Sequence, residues 1–64
     1  MTTKNIIEGL SILNKYYEHE GYHIGAEHDV LYASLTERAI GPEDLARLDE
    51  LGWFEDGEGW KAFV

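Results

Sequence analysis

The chain has 64 residues, which bounds it to one small domain, residues 1–64. It contains no cysteine, so a disulfide framework and a thiolate metal site are excluded. Thirteen Asp and Glu against five Lys and Arg give a net charge of −8, which opposes direct binding to nucleic acid because that binding neutralises phosphates.

A chain this short buries only about 60% of its unfolded surface. It needs a dense core or an oligomeric partner. Two Trp, four Tyr and two Phe can supply that density.

The first expected element is a helix over residues 4–19. Ile6, Leu10, Leu13 and Tyr17 recur at helical spacing, with Ile7 beside them. Thr3 or Asn5 can cap its start, and Asn5 with Glu8 resembles a capping box. Gly9 costs about 1 kcal/mol relative to Ala inside a helix. Either the helix is weak there or something packs close. Gly21 is placed to end it. The opening stretch carries Glu8 and Lys15 and lacks a cleavage-site pattern, so no signal peptide is expected. No apolar run reaches the length of a membrane span.

Residues 30–35, "VLYASL", are expected to form a strand, pairing with residues 22–24 around a turn. His23, Glu27, His28 and Asp29 crowd this turn. Zinc accepts His and carboxylate ligands, so His23, His28 and Asp29 or Glu27 are metal candidates. Their spacing is no known ligand signature. A turn in which His28 bonds the backbone or packs over Tyr22 accounts for the same residues. His19, between Glu18 and Glu20, is expected at the end of the first helix, where the dipole favours a cation.

The second helix, residues 42–51, has agreeing start and stop signals. Gly41 is the N-cap, Pro42 the first helical residue, and Glu43 and Asp44 complement the dipole. Ile40 and Leu45 have staple spacing, and Leu45, Leu48 and Leu51 make the apolar stripe. Gly52 then fits a left-handed stop, with Trp53 folding back onto Leu48.

Asp56-Gly57 signals a two-residue hairpin that sets Trp53 opposite Trp60. Each half thus reads as a helix followed by a hairpin, with Gly21 and Gly52 in equivalent places. The expected fold is α+β, a small αββαββ arrangement whose antiparallel sheet carries both helices on one face. The rival is αβαββ, with residues 22–29 a loop.

Catalytic chemistry finds little footing. Ser11 falls inside a helix and Ser34 near a strand end, neither in a nucleophile elbow. Neighbouring acids on the second helix diverge. The stronger candidate is a partner-binding edge made by Asp49, Glu50, Trp53, Glu55, Asp56 and Glu58, with Phe54 and Trp60 nearby. It suits a protein partner with a basic, nucleic-acid-binding face. No cofactor and no membrane contact are expected.

"YHIGAEHDVLYAS", "PEDLARLDELGWF" and "GWKAFV" together are similar to short acidic proteins of bacteriophages and prophages. The matching positions are Glu27, His28, Asp29, Leu51, Gly52, Trp53 and Trp60. The resemblance covers roughly residues 21–64 and implies phage origin and a cytoplasmic setting, with no reaction attached. The expectation is a non-enzymatic accessory protein that binds a host or defence macromolecule. The alternatives are a small homo-oligomer that hides spare aromatic surface in its own interface, and a histidine-based metal binder.

Overall fold

A computed structural model describes residues 1–64. Its elements are α1 (Thr3–Asn14), β1 (Ile24–Glu27), β2 (Val30–Ser34), α2 (Pro42–Leu51), β3 (Phe54–Glu55) and β4 (Gly59–Phe63). The four strands form one antiparallel sheet in the order β1-β2-β4-β3. The αββαββ order therefore holds, and residues 24–27 form a strand rather than the loop of the rival reading.

Strand side chains alternate between the two sheet faces. Ala33, Trp60 and Ala62 occupy one face and are buried. Together with Ile12 and Leu13 of α1, Leu48 and Leu51 of α2, and Trp53, they form the core. The small alanines leave room for the helices, and Trp53, Leu13 and Leu48 are the largest side chains wholly buried there. No helix is long and apolar enough to cross a membrane.

α2 follows its sequence signals. Gly41 is the N-cap with Pro42 inside, and Gly52 adopts φ +96°. Gly52 N–H donates to Asp49 O (3.0 Å) and Trp53 N–H to Leu48 O (2.9 Å), the paired bonds of a Schellman stop. Leu45, however, is 43% exposed, so the buried stripe is Leu48 and Leu51.

α1 departs further. Thr2 is the N-cap and accepts from Asn5 N–H at 3.1 Å, displacing Thr3 and Asn5 from that role. Asn5 serves elsewhere: its Nδ2 donates to Leu51 O at 3.4 Å, at the end of α2. The buried face is Gly9, Ile12 and Leu13, while Ile7 is 60% exposed. The helix stops at Asn14, well short of Gly21. Its end tightens into i→i−3 bonds from Lys15, Tyr16 and Tyr17. Tyr16 and Tyr17 then reach away from the helix: Tyr17 Oη donates to Ser34 O (2.5 Å) and Tyr16 Oη to Asp44 (2.5 Å). The Glu37 carboxylate accepts the N–H groups of Glu18 (3.2 Å) and His19 (3.4 Å). A distant residue thus satisfies backbone that a longer helix would have paired internally.

Gly9 has a clear tertiary cause. The indole of Trp53 lies directly against it, and Trp53 Nε1–H donates to Asn5 O at 3.3 Å.

Both hairpins have two-residue loops. Glu27 pairs with Val30 around His28-Asp29. In the second hairpin Glu55 pairs with Trp60, and Asp56 N–H donates to Gly59 O at 3.2 Å, leaving Gly57-Glu58 as the loop. The loop sits one residue later than Asp56-Gly57, which moves the register by two. Glu55, not Trp53, therefore faces Trp60. A shift of two preserves the face, so both tryptophans still enter the core, 1% and 6% exposed. The first loop residue has positive φ in each hairpin, His28 at 55° and Gly57 at 89°. These equivalent positions are 57 − 28 = 29 apart, against 52 − 21 = 31 expected from Gly21 and Gly52.

Candidate functional site

The face of the sheet turned away from the helices carries Val30 and Tyr32 on β2, Lys61 and Phe63 on β4, and Phe54 on β3. Phe54 is 39% and Phe63 58% exposed, and their ring centroids lie 5.6 Å apart. Lys61 sits opposite both Tyr32 and Phe54 in the register. Its Nζ lies 5.4 Å from the Tyr32 ring centroid and pairs with the Asp56 carboxylate. The aromatic pair therefore shares its face with the base of the acidic β3–β4 turn.

The expected partner-binding residues separate into three groups. Trp53 belongs wholly to the core and cannot meet a partner, because the α2 stop turns it beneath Gly9. Asp56 and Glu50 are partly neutralised, Asp56 by Lys61 and Glu50 by Arg47 at 3.6 Å. Asp49, Glu55 and Glu58 are exposed and have no cationic partner; Glu55 Oε2 accepts the Gly57 N–H at 3.2 Å. Phe54 remains an aromatic neighbour of these acids, and Phe63 joins it while Trp53 and Trp60 are buried. Period-two alternation along β4 would have found Phe63 even with the loop placed one residue early, because a shift of two keeps it on the Phe54 face.

Two of the other cations, Arg47 and Lys15, hold the helices together. Arg47 of α2 clasps Glu8 of α1 through Nε (2.6 Å) and Nη2 (2.9 Å). Lys15 Nζ lies 2.8 Å from Asp44 Oδ2, which also accepts from Tyr16. These bonds hold Glu8, through Arg47, and Asp44, through Lys15 and then Tyr16, below the usual carboxylate range. Asp56 is lowered by its bond with Lys61 and then by the Glu58 N–H, and Lys61 is raised in turn. Burial raises the Tyr17 hydroxyl.

The histidine–acid turn does not assemble. His28 and Asp29 form the loop at one end of the first hairpin, whereas His23 precedes β1 at the other. His23 stacks on Tyr17 with ring centroids 4.1 Å apart and planes 5° apart, and its Nε2 lies 2.8 Å from His19 O. His28 makes no hydrogen bond and Tyr22 is fully exposed, so neither structural role expected of His28 is present. The donors that do converge, within 4.8 Å of one another, belong to Glu18, His19 and Glu37, all exposed. Glu37 is already engaged by two backbone N–H groups, and Arg38 stands 3.9 Å from Glu18. The cluster closes the loop after α1. His19 lies in that loop, beside Glu37 at 3.5 Å, rather than at a helix end.

Comparison with protein-family models, curated proteins and solved structures finds no match for the chain.

Proposed function

We propose that this is a non-enzymatic accessory protein of phage or prophage origin. It acts in the host cytoplasm by binding a host or defence protein that has a basic, nucleic-acid-binding face. The observation that carries the reading is the exposed Phe54–Phe63 pair on the helix-free sheet face, beside the acidic β3–β4 turn. Exposed aromatics bordered by charge concentrate interface energy, and the charge steers encounter with an oppositely charged partner. The net charge of −8 and the uncompensated Asp49, Glu55 and Glu58 favour a basic surface. The E-H-D turn and the L-G-W…W pattern supply the phage assignment by resemblance alone.

Capture from host lysate, with the retained protein identified by mass spectrometry, tests the reading. Retention is expected to fall as salt rises, and when Asp49, Glu50, Glu55 and Asp56 are neutralised together. Phe54→Ala and Phe63→Ala should each weaken binding by about 1–2 kcal/mol. Capture indifferent to salt, to the four charges and to both phenylalanines sinks the proposal.

A further inference from the structure

The two edges of the sheet are not alike. β3 is two residues long and runs into Glu55 and Asp56, the short and charged form in which edges resist pairing. β1 is four residues long, "IGAE", wholly exposed, with no Pro, no Lys and an unbroken register against β2. Ser34 N–H donates to His23 O at 2.7 Å. Antiparallel alternation then turns His23, Gly25 and Glu27 toward β2, and the N–H and C=O groups of Ile24 and Ala26 toward the open edge. Beside that edge, Ile7, Leu10, Tyr17 and Ile24 line a groove between α1 and β1. Ile7 is 60% and Ile24 58% exposed.

We infer that the β1 edge is an interface for a second copy of this chain, joined antiparallel to β1 of the first in a register centred on Gly25. Edge-to-edge pairing about a two-fold axis keeps the helices of both copies on one side, so only residues of the same face come opposite one another. The register that uses all of residues 23–27 sets Ile24 against Ala26 of the second copy, and Ala26 against its Ile24. Every outward N–H and C=O of these residues then has a partner. Gly25 meets its own copy on the axis, where nothing lies within 4 Å of the position a Cβ would take. The two backbones can therefore close without a side chain between them. Glu27 comes opposite His23 of the second copy, an acid against an imidazole. Residues 23–27 carry one carboxylate, Glu27, which faces His23 rather than its own likeness, so two chains of charge −8 meet along a stretch without a direct acid–acid pair. The groove residues Ile7 and Ile24 are covered by the same approach.

Sedimentation velocity across a concentration series, with amide hydrogen exchange on the same samples, tests the inference. The wild-type chain is expected to pass from monomer to dimer, with the Ile24 and Ala26 amides becoming protected as it does. Ala26→Pro removes an outward donor at an edge position where proline is tolerated, and Ile24→Lys places a charge in the interface. Both variants are expected to stay monomeric with unchanged far-UV circular dichroism; should Ala26→Pro unfold, Ile24→Lys decides. A wild-type monomer at every concentration overturns the inference, including one whose edge amides are protected only by an added extended peptide. So does a dimer that survives Ile24→Lys, or one that leaves the Ile24 and Ala26 amides exchanging freely.

Discussion

Gly9 of α1 lies directly against the indole of Trp53, so closely that a Cβ on Gly9 would fall 2.6 Å from Cδ1 and nearer still to Nε1. The glycine costs the helix about 1 kcal/mol in intrinsic propensity. It is retained because the largest core side chain needs the space. Gly9→Ala is therefore expected to destabilise the protein by about 1–3 kcal/mol despite alanine's better propensity, as overpacked cores do. Urea unfolding measures this; an equal or higher midpoint would contradict the packing argument.

His28 occupies a positive-φ loop position whose counterpart is Gly57, and its side chain makes no hydrogen bond in return. A non-glycine residue in the left-handed region costs about 1–2 kcal/mol. His28→Gly should leave stability unchanged or raise it by up to about 1 kcal/mol. His28→Val should lower it by a comparable amount, since β-branching resists positive φ. Thermal unfolding of both variants tests the pair, and a valine variant as stable as the glycine variant would count against the assigned backbone cause.

Tyr16 joins the two helices. Its hydroxyl donates to Asp44 at 2.5 Å and accepts the Gly41 N–H at 3.3 Å, fixing the start of α2 to the end of α1. Tyr16→Phe keeps the ring and removes both bonds. The urea midpoint is expected to drop with the slope unchanged, and exchange at the Gly41 amide to accelerate. An unaltered Gly41 amide would show that the hydroxyl is not what protects it.

Stability should respond to acid in one direction. Bonds to Arg47, to Lys15 with Tyr16, and to Lys61 lower the carboxyls of Glu8, Asp44 and Asp56. A carboxyl lowered by folding contributes stability that is full above its unfolded value, about 4, and is lost as pH falls through the lower folded value. The melting temperature should therefore decline as pH drops below about 4. Lys15 and Lys61 are raised by Asp44 and Asp56, so their contribution is full below the ordinary lysine value and fades only in strong alkali. Asp44→Asn combined with Asp56→Asn should flatten the acid limb, which melting curves across pH will show.

Local chemistry made α2 legible. Gly41, Pro42, the first-turn acids and Gly52 each act within a few residues of themselves, and the helix begins and ends where they stand. α1 was legible only in part, because its end is fixed by Tyr16, Tyr17 and Glu37, whose partners lie far along the chain. The second hairpin was recognised with its loop one residue early. Asp-Gly suits a turn with Gly in second place, whereas here Gly57 takes positive φ in first place. The candidate surface suffered accordingly. Its carboxylates could be read from composition, but choosing Phe63 over Trp53 required knowing which sheet face the helices cover. The turn holding His28 and Asp29 was visible as a turn, while the distance of His23 from it follows from pairing along β1.

The sheet order β1-β2-β4-β3 reads the same when the two halves of the chain are exchanged. Tyr32 and Lys61 stand 61 − 32 = 29 positions apart, the spacing that relates the hairpin loops, and they are also paired with each other. A local symmetry axis therefore passes between them. Were the halves separate identical chains, the residue on that axis would face its own likeness: tyrosine against tyrosine, or two ammonium groups in repulsion. Continuity of one polypeptide removes that constraint. It lets the centre of the sheet hold two unlike side chains, a cation 5.4 Å from the centre of an aromatic ring, whose attraction no symmetric assembly could place there.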